Sequence, residues 1–147
     1  MHKFDLKNKT AVITGGAQGF GLNIAKKFLN SGARVNIWDI DIKQLKKAKS
    51  RIKNNNLSYQ VVDVTNYRNV QKIVKEITKK SKIDILINSA GITGPTTQLW
   101  HYKIKDWNKI IEINLNGTFY CCKSIVPHMI KNKYGRIVNI ASVSGKD

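Results

Sequence analysis

Short apolar runs alternate along the chain with stretches whose apolar residues recur at helical spacing. Thr10 to Thr14 (Thr-Ala-Val-Ile-Thr) is a continuous run bounded by Gly15 and Gly16. Such a run predicts a buried strand covered by helices on both faces, since a strand with one wet face would alternate instead. From Phe20, the residues Leu22, Ile24, Ala25, Phe28 and Leu29 fall on one helical face, and Gly32 stands where a helix C-terminal glycine belongs. Arg34 to Trp38, ending at Asp39, reads as a second strand. Ile42, Leu45, Ala48 and Ile52 then form one apolar stripe on a helix whose other face is lysine, and Asn54 to Asn56 end it.

The same unit recurs. Leu57 to Val62 predicts a third strand, and Val70, Ile73, Val74 and Ile77 predict a third helix with Thr65 as its N-cap. Ile83 to Ile87 predicts a fourth strand, followed by a loop from Asn88 to Thr97. Asp106 to Ile130 predicts one or two helices, with Pro127 expected to kink or end the last turns at a cost of about 3 kcal/mol. Arg136 to Ala141 predicts a fifth strand. Strands alternating with helices imply right-handed crossovers and a parallel sheet, hence an α/β, doubly wound domain ending after the fifth strand. The 147 residues fit one such domain, residues 1–147, able to bury roughly two thirds of its unfolded surface.

Composition narrows the function classes. No apolar run approaches the roughly 18 residues of a membrane span, and Met1 to Thr10 has no signal-peptide core, so a cytoplasmic protein without a membrane partner is expected. Cys121 and Cys122 are adjacent and lack metal-ligand spacing to other Cys or His residues; no metal is assigned, and a reducing compartment is expected. Lys and Arg number 26 against 9 Asp and Glu, a formal charge of +17. That excess is mostly lysine along helical faces (Lys43, Lys46, Lys47 and Lys53; Lys72, Lys75 and Lys79), with no aromatic interleaving for base stacking, so no nucleic-acid partner is expected.

The candidate chemistry begins in the turn Thr14-Gly15-Gly16-Ala17-Gln18-Gly19-Phe20-Gly21. Gly15, Gly19 and Gly21 follow the first strand and open the first helix, the setting in which glycines let the backbone approach a diphosphate and free helix N–H groups receive it. Gly15, Gly19, Phe20 and Gly21 are therefore candidate dinucleotide contacts. Asp39 ends the second strand, where a carboxylate accepts hydrogen bonds from an adenosine ribose and repels a 2′-phosphate. Ile40 and Asp41 follow it without a basic residue, which favours NAD over NADP.

With these, Asp63-Val64, Asn88-Ser89-Ala90-Gly91, Asn114 and Gly135-Arg136-Ile137-Val138-Asn139-Ile140-Ala141-Ser142 stand in family order. The chain thereby resembles the short-chain dehydrogenase/reductase family, whose domain is a Rossmann fold, over essentially its entire length. The resemblance implies a hydride transfer between nicotinamide and a small-molecule carbonyl or alcohol. It places Asp63 and Val64 at the adenine and Asn88, Ala90 and Gly91 beside the cofactor. It makes Asn114 the holder of a proton-relay water and Ser142 the hydrogen-bond donor to the reacting oxygen, the two candidate catalytic residues.

The family's general acid/base is a tyrosine with a lysine four residues on, roughly a dozen residues beyond the serine. Tyr59, Tyr67, Tyr102, Tyr120 and Tyr134 all lack that lysine. Loss of a general acid/base costs 10² to 10⁴ in rate, so weak dinucleotide binding with negligible turnover is expected of residues 1–147. The alternative is a non-catalytic dinucleotide-binding or interaction module; a reading frame that continues into Tyr-x-x-x-Lys separates the two. The family's homo-oligomers use helices partly absent here, and the fifth strand is expected to be an open edge. Gly91-Ile92-Thr93-Gly94-Pro95, Trp100, the cysteine pair and Tyr134-Gly135-Arg136 are similar to dehydrogenases of 2-dehydro-3-deoxy sugar acids, with 3-oxoacyl-carrier-protein reductases as the second resemblance.

Overall fold

The structure, a computed structural model, describes residues 4–142. Strands β1 (Thr10–Thr14), β2 (Arg34–Asp39), β3 (Leu57–Val61), β4 (Ile85–Asn88) and β5 (Arg136–Asn139) form one parallel sheet in the order β3-β2-β1-β4-β5. Helices α1 (Gly19–Asn30), α2 (Ile42–Ile52), α3 (Tyr67–Thr78), α4 (Ile104–Ile110) and α5 (Thr118–Lys131) connect them. The doubly wound topology expected from the β-α rhythm is the one found.

Alternation within the strands divides the core in two. Ala11, Ile13, Val35, Ile37, Ile85 and Ile87 face one side and pack with Ala25 and Leu29 of α1 and Leu45 and Ala48 of α2. Val12, Trp38 and Leu86 face the other and pack with Val70, Ile73, Val74 and Ile77 of α3 and Cys121, Ile125 and Met129 of α5. Helix α3 buries the whole stripe that its spacing predicted, whereas in α2 Leu45 and Ala48 are buried and Ile42 is exposed, because a helix on a sheet buries one face only. Trp38 is wholly buried, and its indole N–H donates to Asn36 Oδ1 at 2.6 Å, so its polar edge is satisfied.

Several boundaries differ from expectation. Helix α3 is capped by Asn66, whose Oδ1 accepts from Asn69 N–H at 3.0 Å, not by Thr65. The Thr65 hydroxyl instead donates to Asp63 Oδ1 at 2.7 Å, so the capping register slips by one residue. β3 stops at Val61, β4 starts at Ile85, and β5 stops at Asn139, because ladder pairing with the neighbouring strand ends there while apolar character runs on. The fourth helical region begins at Ile104, passes through a π-helical stretch at Ile111–Gly117, and continues to Lys131. Pro127 sits inside α5 without ending it: Cys121, Ile125 and Met129 anchor the buried face while Pro127 lies on the exposed one.

Among the described residues β5 lies at the edge of the sheet, and Ile137 and Val138 are exposed on it. Among the described residues no helix is long and apolar enough to cross a membrane.

Burial, and after it the neighbouring Cys122, pushes the Cys121 thiol up to about 12 from an ordinary 9.0. The folded chain therefore favours the protonated thiol. Its contribution to stability is complete below about pH 9 and is lost as pH rises toward about 12. Urea denaturation of the parent protein should show a steeper loss of stability above about pH 9 than the Cys121→Ala variant shows. Parallel profiles for the two proteins would contradict this.

Candidate functional site

The strand order reverses between β1 and β4, and a crevice opens there at the C-terminal end of the sheet, the position where open α/β sheets bind ligands. Its volume is about 720 Å³. The β1–α1 turn forms its floor with Gly15, Gln18, Gly19, Phe20 and Gly21; the end of β2 supplies Asp39, Ile40 and Asp41; the end of β3 supplies Val62, Asp63, Val64 and Thr65. Ser89, Ala90, Gly91 and Ile92 enter from the β4 loop, Lys109, Glu112 and Ile113 from α4 and the π-helical stretch, and Ile140 from beyond β5.

The turn is shaped by close backbone approach. A Cβ on Gly21 would press on the Gly15 carbonyl, and one on Gly15 would lie 2.9 Å from Ala90 Cα. Gly19, at φ +55°, has nothing within 4 Å of its Cβ position, so it faces open crevice. Thr14 holds the opposite wall: its buried Oγ1 accepts from the N–H groups of Ser89 at 3.1 Å and Ala90 at 3.0 Å. Sequence reading missed Thr14, although a threonine at the end of β1, just before the glycines, was the available signal.

Helix α1 differs from its neighbours at its start. Asp41 caps α2 through Lys43 and Gln44 N–H, and Asn66 caps α3, whereas Gln18 gives α1 no side-chain cap. Its leading N–H groups and the positive end of its dipole therefore meet the crevice without a side-chain cap. An open cradle at Gly19 beneath an uncapped helix start fits a dinucleotide diphosphate.

The carboxylate of Asp39 is fixed from both sides. Oδ2 accepts from Ala17 N–H at 3.3 Å and Oδ1 from Asp41 N–H at 3.2 Å. Asp63 Oδ1 accepts from both the backbone N–H and the hydroxyl of Thr65, which holds the β3–α3 turn against the crevice. Val64 packs on Gly117, where a Cβ would come within 2.7 Å of its Cγ2.

Three candidates stand off the crevice wall. Asn88 is buried beneath it, and its amide donates to Asn139 Oδ1 at 2.8 Å, tying β4 to β5. Asn114 belongs to the π-helical stretch; its Oδ1 accepts from Ile92 N–H and its Nδ2 donates to Ile92 O, both at 2.9 Å, so its side chain is occupied in holding the β4 loop. Its carbonyl accepts from the Thr118 hydroxyl at 2.9 Å. Ser142 is exposed two residues past Ile140. The cofactor candidates Gly15, Gly19, Phe20, Gly21, Asp39, Asp63, Val64, Ala90 and Gly91 do converge on one crevice, and none of the five tyrosines lines it. Lys109 and Glu112 escaped sequence reading, since only the course of the helix past Ile110 brings them to the wall.

The topology and the glycine turn define a Rossmann-type domain. A sequence model of the family described as short chain dehydrogenase matches residues 9–147, and the chain belongs to that family of nicotinamide-dependent oxidoreductases. It is 39% identical over 140 residues to a 2-dehydro-3-deoxy-L-rhamnonate dehydrogenase (NAD(+)) of Sphingomonas sp. strain SKA58, covering 95% of this chain and 55% of that enzyme. It is 37% identical over 144 residues to the 3-oxoacyl-[acyl-carrier-protein] reductase FabG of Chlamydia pneumoniae, covering 96% of this chain and 58% of the reductase. Among solved structures, ElxO with NADP bound superposes with a TM-score of 0.91 at 35% identity, over 95% of this chain and 58% of ElxO. The chain thus spans little more than half the length of these relatives.

Two substitutions test the local geometry. Asn114→Ala should cost about 1–2 kcal/mol in urea denaturation and speed exchange of the Ile92 amide by about tenfold or more; unchanged Ile92 exchange would show that the pairing does not hold the loop. Gly21→Ala, which forces backbone against backbone, should destabilise by about 1–3 kcal/mol; an unaltered denaturation midpoint would contradict the close packing of α1 on the turn.

Proposed function

We propose that residues 1–147 form the coenzyme-binding portion of an NAD-dependent dehydrogenase acting on a sugar acid or polyol. The observation that carries the reading is the crevice, in which the uncapped start of α1 and the Gly19 cradle lie beside the Asp39 carboxylate. In this assignment the helix start and the glycines receive the diphosphate, Asp39 accepts from the adenosine ribose, and Asp63 and Val64 border the adenine. Ala90 and Gly91 flank the cofactor, and Asn88 orders the strand ends beneath them. A bound nicotinamide would accept or give up hydride. Ser142 would donate to the reacting oxygen, and Asn114 would position the β4 loop and, through its carbonyl, a relay water.

NAD is preferred over NADP because Asp39 is held facing the crevice with Asp41 next to it, and a 2′-phosphate would meet two negative charges. At about 4 Å even water leaves roughly 1 kcal/mol of repulsion per pair of unit charges, enough for about a tenfold preference. The sugar-acid reading is supported by the printed activity of the Sphingomonas relative. A 3-oxoacyl-carrier-protein reductase is the second reading, supported by the Chlamydia relative.

Titration calorimetry on residues 1–147 should show NADH binding at least about tenfold tighter than NADPH, with Asp39→Ala removing most of the difference and turnover remaining negligible. Absence of binding by either dinucleotide, or tighter binding of NADPH, would overturn the assignment. If the reading frame continues into a Tyr-x-x-x-Lys pair, the longer enzyme should oxidise sugar acids with NAD in preference to reducing 3-oxoacyl thioesters; the reverse order would favour the second reading.

A further inference from the structure

The lysines dispersed in sequence are not all dispersed in space. α3 and α5 pack side by side, and both end at the pole of the sheet opposite the crevice. There Lys79, Lys80 and Lys82 of the α3–β4 turn meet His128 and Lys131 of the last turns of α5 around a cavity of about 310 Å³. Ser81 and Asn132 add a hydroxyl and an amide, and no carboxylate lines it. It shares no residue with the crevice.

Lysines near helix C-termini have an ordinary explanation, since they offset the negative end of the helix dipole. Two helix ends supply only about −1 between them, against four ammonium groups, and about +3 is left over. Such an excess around one small cavity matches a ligand of high negative charge density. No Phe, Tyr or Trp lines the cavity, His128 supplies its one ring, and no apolar wall is present to take an acyl chain.

We propose that this pocket is an oligophosphate site, separate from the dinucleotide crevice, which takes a small ligand carrying two or more phosphate groups. The ammonium groups of Lys79, Lys80, Lys82 and Lys131 neutralise the phosphates, and Ser81 and Asn132 supply neutral donors.

Inorganic pyrophosphate titrated into ¹⁵N-labelled protein at about 0.15 M salt, where charges beyond about 8 Å are largely screened, tests this. Saturable shifts should appear at residues 78–82 and 128–132 and persist with NADH present. Lys80→Gln with Lys131→Gln should weaken binding at least about tenfold, whereas Lys46→Gln with Lys47→Gln, an equal charge change on the exposed face of α2, should alter it less than about twofold. Equal weakening by both pairs, or shifts at Gly15 to Gly21 that NADH abolishes, would overturn the proposal. So would tighter binding of a short DNA duplex than of pyrophosphate at this pocket.

Discussion

Everything at the crevice depends on how closely the end of β1 approaches the start of α1 and the loop after β4. Gly21 lies against the Gly15 carbonyl with no room for a side chain, and Gly15 lies against Ala90 in the same way. These contacts let α1 begin directly beneath the crevice, aimed along its dipole at the space beside Asp39. Thr14 makes the arrangement rigid by spending one buried hydroxyl on two amides of the β4 loop. A larger residue at either glycine would push helix or loop away and part the groups that the crevice brings together.

A second set of constraints works from the far wall. The π-helical stretch at Ile111–Gly117 places Asn114 opposite Ile92 and Gly117 beneath Val64. One irregular segment of helix thus holds both the loop after β4 and the turn after β3. The extra residue in each turn redirects side chains that a regular helix would point elsewhere. Asn88 completes the support from below by tying β4 to β5.

Charge is distributed unevenly between the two ends of the sheet. Asp39, Asp41, Asp63 and Glu112 border the crevice, while Lys79, Lys80, Lys82 and Lys131 gather where α3 and α5 end. A net charge of +17 is therefore a poor guide to local field. The crevice of this basic protein is lined by four carboxylates and one lysine, whereas the opposite pole gathers four lysines and no carboxylate around its cavity.

Much of this was legible in the residues alone. Strand order of appearance, the apolar stripes of α1 to α3, the glycine turn and the placement of Asp39 follow from short-range pattern, because periodicity and backbone sterics act within a few residues. The exact cap of α3 was missed, since Thr65 and Asn66 are both good caps and only the hydrogen bonding of Asp63 chose between them. Burial of the α5 stripe let the helix run through Pro127, a balance of packing against a lost hydrogen bond that spacing does not weigh. Sequence by itself thus determined the doubly wound class and the glycine turn that opens α1. Tertiary structure alone decided that Asn114 faces Ile92, that Lys109 and Glu112 reach the crevice, and that Lys131 joins Lys79, Lys80 and Lys82 at one pocket, because such contacts depend on how helices settle on the sheet.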